Sequence, residues 1–477
     1  MSDSARLPRI IQGGMGVAVS NWKLARAVSQ AGHLGVVSGT ALDVVLVRRL
    51  QDGDPGGHVR RAMESFPMPD VVAYVMKRFF EPDGRKPQEP YRLLPMYKQT
   101  VSALRDQVTM LGSYVEVTLA KEGHDGLVGI NLHTKIQMPT LPALYGAMMA
   151  GVHVVLMGAG IPREIPGALD AMANHEVASI KLDVVGQLSG ETSHLSFDPR
   201  ARFPDATVSL PRPRFFPIVS AATLALTLAR KSNGRVDGFV VEGPTAGGHN
   251  APPRGPMRLN ESGEPIYGER DIVDLSAMRD IGLPFYLAGG SGSPEALDYA
   301  LSEGAAGVQV GTLFAYSDES GFTTDIKQRV IAGALEQTLH IRTDARASPT
   351  GYPFKIVILD PEAPIFKPRE RCCDLGYLRE AYRRADGRLD YRCSSEPVDT
   401  YLKKGGTIED TVDRQCLCNA LVAGIGAPQA REDGFEEPSI ITSGDDVVNL
   451  GKFLEGRTSY GAADVLAYLT REVAVTV

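Results

Sequence analysis

Eight short apolar runs, most of them followed by a segment of helical spacing, constrain this chain more than any other feature. They are Arg9–Gln12, Leu34–Gly39, Val128–Leu132, Val152–Met157, Phe216–Ala221, Gly238–Glu242, Pro284–Ala288 and Gly307–Val310. Runs this short and this continuously apolar suit strands that are covered on both faces. Between the first two, Asn21 to Ala31 places Trp22, Leu24, Ala25 and Val28 on one helical side, and Gly32 stops the helix. Strand–helix alternation repeated eight times favours the α/β class and a (β/α)8 TIM barrel over an open doubly wound sheet.

Such a barrel needs roughly 250 residues, and the chain has 477. The excess lies where the alternation breaks. Residues near 51–97 are rich in Pro, Gly and charge and read as one insertion. Residues near 177–214 read as a second, of hairpin type. Past about 346 the barrel rhythm ends. The expected organisation is therefore a barrel over 1–345 with two insertions and an appended, mainly helical subdomain over 346–477. That last region holds all five cysteines, Cys372, Cys373, Cys393, Cys416 and Cys418.

Composition narrows the function classes. The net charge is −7 and no long Lys/Arg run occurs, so nucleic acid is not an expected partner. The longest uncharged apolar-leaning stretch, Phe215 to Ala229, is shorter than the ~20 residues of a membrane helix. No charged-then-apolar leader precedes the first run. The expectation is a cytoplasmic protein with no membrane partner. An odd cysteine count argues against a secreted disulfide framework.

The residues that carry chemistry sit at the ends of the apolar runs. After Pro284–Ala288 come Gly289, Gly290, Ser291 and Gly292, then Ser293 as a helix cap and Pro294 as first helical residue. Glycines let a backbone approach an anion closely, and a helix N-terminus offers free N–H groups. The next run ends in Gln309, Val310, Gly311 and Thr312, whose hydroxyl can donate to a phosphate oxygen. Two such turns in consecutive units make a phosphate cradle. A dinucleotide unit wants an acid about 20 residues past its glycines. The window Gln309–Phe314 has none, which favours a mononucleotide.

Three further signals flank this cradle. After the sixth run, Glu242–Asn250 (EGPTAGGHN) puts His249 behind Gly247 and Gly248, and histidine suits proton transfer near neutral pH. At the first strand end, Gly13, Gly14 and Met15 could face a flat ring system, because glycine presents no Cβ. Asn131 ends the third run with an amide able to bond a heterocycle edge, and His133 lies two residues on.

Taken in order, Ile11–Gly16 (IQGGMG), Gly129–Leu132 (GINL), Ala246–His249 (AGGH), Ala288–Gly290 (AGG) and Gln309–Thr312 (QVGT) resemble the nitronate monooxygenases, formerly 2-nitropropane dioxygenases. The resemblance covers roughly Pro8 to Gly321. It implies an FMN-containing barrel in which Asn131, Gly247, Gly290 and Gln309–Thr312 contact the flavin. It implies that His249 is the active-site acid/base, facing a nitro or nitronate group. The substrate would be a small molecule oxidised with O2 to a carbonyl compound and nitrite. Many members carry Gln-Gly after the sixth strand, where this chain has Glu242 and Gly243. The insertions and long C-terminal region resemble the longer branch near the trans-acting enoyl reductases of polyunsaturated fatty acid synthases. That leaves a second reading, an NAD(P)H-dependent FMN enoyl reductase working with an acyl-carrier partner. A third is a non-catalytic barrel that binds a phosphorylated ligand. A homodimer is compatible with any of them. The cysteine spacing contains no Cys-x2-Cys pair, and no metal ligands are assigned.

Overall fold

A computed structural model describes residues 7–86, 88–360, 362, 366, 369–431 and 434–471. The outer ends of the two expected regions, 1–6 and 472–477, lie outside the described residues.

Eight strands form one sheet: Ile10–Gln12, Gly35–Ser38, Val128–His133, Val154–Gly158, Arg214–Val219, Phe239–Glu242, Phe285–Ala288 and Gly307–Val310. Neighbours follow chain order, all pairs are parallel, and the first strand also pairs with the eighth. The seam between the first and second strands closes through an Ile11–Leu34 bridge, with the Gln12 N–H donating to the Leu34 carbonyl at 2.9 Å. The expected TIM barrel is present.

Alternation along each strand divides its side chains. Ile11, Leu34, Val36, Val154, Leu156, Phe216, Val240, Tyr286 and Ala288 pack together inside the barrel. Their neighbours, such as Ile10, Val37, Ile130, Val155, Phe215 and Phe239, belong to the larger core under the helices. Register sets the rim. Gln12 stands opposite Val310, Ala288 opposite both Gln309 and Glu242, and Ser38 opposite Asn131. The strand-end residues of six units therefore emerge at one level.

The first insertion holds helices His58–Met63 and Pro69–Phe79, followed by irregular chain up to the nineteen-residue helix Ala103–Lys121. This long helix lies against Thr140–Met149 so closely that a Cβ on Gly146 would fall 2.1 Å from the Met110 carbonyl oxygen. The second insertion contains the antiparallel hairpin Ala178–Leu182 with Ser193–Phe197. A short strand within it, Val184–Val185, pairs with Glu380–Arg383 of the C-terminal region.

That C-terminal region mixes strands with helices. The strand Phe354–Ile358 pairs with His340–Asp344, and Glu380–Arg383 pairs with Leu389–Arg392. Short helices follow, including Leu417–Ala423 and Ala462–Leu469. Its segments near 348–355, 375–378, 417–421 and 442–446 fold back over the strand-end rim of the barrel.

Candidate active site

The rim and the C-terminal segments enclose a cavity of about 230 Å³ that opens to solvent. Gly13, Gly14, Met15, Asn131, Glu242, Gly247, Gly248, His249, Gly289, Gly290, Gln309, Val310, Gly311 and Thr312 all line it. The fold thus brings every candidate residue to one cavity. A concave site at the strand-end face is where barrels place their chemistry.

Local geometry explains why these loops hold their shape. Gly289 has φ +85°, a left-handed backbone that disfavours other residues, and a Cβ there would sit 2.9 Å from the Thr245 Oγ1. Ser293 accepts from the Ala296 N–H at 3.1 Å and starts the helix Pro294–Ser302. Gly14 passes so near Asn131 that a Cβ would fall 2.3 Å from the Asn131 Cβ, and the Asn131 Nδ2 donates to the Gly14 carbonyl at 3.1 Å. The Gly243–His249 loop is pinned from the C-terminal side. Gly248 N–H donates to Thr442 Oγ1 at 2.9 Å, Lys355 N–H to the Gly248 carbonyl at 3.0 Å, and Asp445 N–H to the Thr245 carbonyl at 2.9 Å.

The residues present fit a flavin mononucleotide. Buried polar atoms normally have partners, yet Asn131 Oδ1 and Gln309 Oε1 are buried without one. Both belong to the cavity wall, where a heterocycle edge would supply the missing donors. The turn Gly289–Gly292 and the pair Gly311–Thr312 would provide the phosphate end. One feature of that end was absent from the sequence reading. Asp446 reaches it, bonded to Thr312, and a Cβ on Gly292 would lie 2.8 Å from Asp446 Oδ2. Burial raises the Asp446 carboxyl above the usual range. Its neutral form can donate to a phosphate oxygen, whereas its anion would repel one.

His249 is half-buried and holds partners on both ring nitrogens. Lys135 N–H donates to His133 Nδ1 at 3.1 Å, so His133 carries its proton on Nε2. His133 Nε2 lies 3.1 Å from His249 Nδ1 and donates to it. That leaves the His249 proton on Nε2, 2.7 Å from Ser348 Oγ, which is 2.8 Å from Thr350 Oγ1. Phe354 packs edge-on against the His249 ring at 4.8 Å. Burial, and then the neighbouring His133, push the His249 imidazole well below its ordinary pKa. Burial, and then Lys135, push His133 down to about 4. Both rings are therefore neutral at pH 7.

Glu242 lines the same cavity, and burial raises its carboxyl to about 8. It is protonated at neutral pH and can serve as a donor. Sequence reasoning missed Ser348, Thr245, Phe354 and Asp446, all on the cavity wall or bonded to His249. Ser348 and Asp446 lie about 100 and 200 residues from His249, and no local pattern marks either.

A family model described as nitronate monooxygenase matches residues 168–350. No curated protein matches the chain. Among solved structures, FabK from Thermotoga maritima is 14% identical over 98% of this chain and 92% of its own, with a TM-score of 0.45. Nitroalkane oxidase from Streptomyces ansochromogenes is 15% identical over 97% and 94%, with a TM-score of 0.46. The enoyl reductase domain of MlnA from Bacillus amyloliquefaciens is 12% identical over 74% and 64%, with a TM-score of 0.36. The matched stretch spans the last four barrel strands, the glycine turns and the His249 loop. In residues 168–350, which carry the glycine turns and His249, the chain is similar to the nitronate monooxygenases.

Proposed function

We propose that the protein binds FMN in the rim cavity and oxidises alkyl nitronates with O2 to a carbonyl compound and nitrite. The observation that carries this reading is His249 lining the same cavity as the two glycine turns. FMN would supply an electron acceptor for the bound anion. Asn131 and Gln309 would hold its ring edge, and Gly289–Gly292 with Gly311 and Thr312 its phosphate.

The chain's own residues then favour a nitronate over a neutral nitroalkane. His249 Nε2–H is a donor that can leave Ser348 Oγ for a nitronate oxygen, a charge-assisted bond. Removing an α-proton from a neutral nitroalkane is harder. His249 Nδ1 already accepts from His133, and a depressed pKa makes the ring a weak base. His249 thus acts first as donor and orienting group, and as an acid or base only after its His133 bond exchanges. Leu132, Ile136, Leu375, Leu378 and Leu421 give the remaining wall an apolar surface for an alkyl chain.

The test uses purified full-length protein. The released flavin should be FMN, and oxygen uptake with nitrite release should follow addition of an alkyl nitronate without any nicotinamide. Turnover of the neutral nitroalkane should be slower than that of its anion. A colourless protein that gains no activity with added FMN would remove the reading. NADPH oxidation dependent on an enoyl thioester, with no nitronate oxidation, would replace it with the reductase reading.

A further inference from the structure

His133 ends the third strand and lines the flavin cavity beside His249. The two rings meet edge to face, with centroids 4.6 Å apart and planes at 70°. The turn that carries His133 is held by its own main chain. Thr134 N–H donates to the Gly158 carbonyl and Ile136 N–H to the His133 carbonyl, each at 2.9 Å. Lys135 N–H donates to His133 Nδ1 at 3.1 Å, so the hydrogen of the neutral ring is on Nε2 and faces His249.

The protons on the far side of His249 are ordered in the same way. A hydroxyl has two lone pairs and one hydrogen. Ser348 Oγ accepts from His249 Nε2–H at 2.7 Å and from Thr350 N–H at 3.2 Å. Its own hydrogen therefore goes to Thr350 Oγ1, 2.8 Å away, which also accepts from Tyr352 N–H at 3.3 Å. Ser348 is fully buried, and its carbonyl accepts from Arg414 Nη1. A main-chain amide only donates, so Lys135, Thr350 and Tyr352 fix one direction along the chain from His133 through His249 and Ser348 to Thr350. A hydrogen on His249 Nδ1 would meet the hydrogen of His133 Nε2 across 3.1 Å. Moving the His133 hydrogen to Nδ1 instead would set it against Lys135 N–H.

We propose that His133 is the positioning residue that locks His249 as an Nε2–H donor, and that this lock gives the site its preference for an anionic over a neutral nitro substrate. The lock rests on the geometry of the chain; its effect on substrate choice rests on the nitronate reading. An anion needs a donor, and the locked ring offers one. A neutral nitroalkane needs a bare ring nitrogen to take its α-proton, and the locked ring has none free. His249 Nδ1 is occupied by His133, and Nε2 carries the hydrogen. Without the His133 donor, the hydrogen can move to Nδ1 and Nε2 becomes a base. The α-proton then passes to Nε2, and the C–H electron pair stays on the substrate, which becomes the nitronate.

The test compares full-length wild-type protein with His133→Ala, which removes the donor, and His133→Gln, which keeps an N–H at similar reach. Tautomers are read by NMR on protein isotope-labelled only at histidine nitrogen, with His249→Gln assigning the His249 signals. Wild-type His249 should carry its hydrogen on Nε2 alone. The Nδ1–H form should appear in His133→Ala, and His133→Gln should restore the wild-type pattern. The kcat/KM for a neutral nitroalkane, relative to its nitronate, should rise about tenfold in His133→Ala as a general base is gained, chiefly through kcat, and fall back in His133→Gln. A merely structural role would lower both substrates together. Thermal midpoint and flavin content report folding, and His133→Leu replaces the alanine variant if that one fails to fold. An Nδ1–H on wild-type His249, or an unchanged tautomer in the folded variant without a donor, overturns the lock. A changed tautomer with an unchanged substrate ratio overturns its role in substrate choice. A locked wild-type protein that turns over neither substrate removes the nitronate reading and leaves the lock standing.

Discussion

His249 reaches Ser348 on one side and His133 on the other, and this pair of bonds decides what the ring can do. His249→Ala should lower kcat/KM for a nitronate by about 10²-fold, within the range of a lost catalytic hydrogen-bonding or proton-transfer group. Ser348→Ala should change it less and mainly through KM, because it frees the Nε2–H without removing it. Steady-state oxygen uptake separates the two; equal losses in both variants would put the function in Ser348 instead. Glu242 makes a second case. Its carboxyl is held at about 8 in the fold, from a reference of 4.5. The folded state keeps this proton where the unfolded chain has lost it. The associated stability is complete below the reference value and is lost as pH rises through about 8. Glu242→Gln should therefore raise the thermal midpoint at pH 9 by about 2–4 °C relative to its effect at pH 4. Thermal scans at both pH values check it, and no difference would mean the carboxyl is solvated.

At the scale of elements, the strand ends and their turns build the cradle, and one loop from elsewhere closes it. The 442–446 segment is tied down by Lys355, whose buried ammonium lies 2.6 Å from Asp445 Oδ1. It carries Asp446 into the phosphate end beside Thr312. With the Asp446 pKa raised, the neutral form predominates at low pH and the anion at high pH. FMN affinity should fall as pH rises through the Asp446 ionisation, because the carboxylate then faces a phosphate. Asp446→Asn should remove that fall and keep affinity flat. Fluorescence titration of apoprotein with FMN across pH 5–9 measures both, and identical pH profiles would exclude this contact. The eight strands were legible in the sequence because each is short, apolar and bounded by glycine or a polar residue. The seventh and eighth turns were legible for the same reason: a cap, a proline and glycines fall at fixed places. Asp446 was not, since an aspartate in an irregular stretch carries no positional signal.

Over the whole molecule, the C-terminal region behaves as a wall of the site. It supplies Ser348, Phe354, Leu375, Leu378, Leu417, Thr442 and Asp446 to the cavity or to His249. A chain ended after residue 345 would leave the His249 loop without its Thr442 and Lys355 bonds and would expose apolar barrel surface. Such a truncation should be aggregated or colourless. Flavin absorbance of the soluble fraction checks this, and a soluble yellow 1–345 protein would mean that the barrel holds its cofactor alone. Among the described residues no helix is long and apolar enough to cross a membrane.

The amino-acid sequence by itself determined the barrel, its rim and the residues on it. Periodicity, glycine and capping are local signals, and a strand run followed by a glycine turn has few other ways to fold. Only the tertiary structure decided the protonation and partners of the site. Ser348 on His249 and Asp446 in the cradle both join segments far apart in the chain. Their energies depend on burial and on which charges meet, and neither quantity exists until the chain has closed on itself.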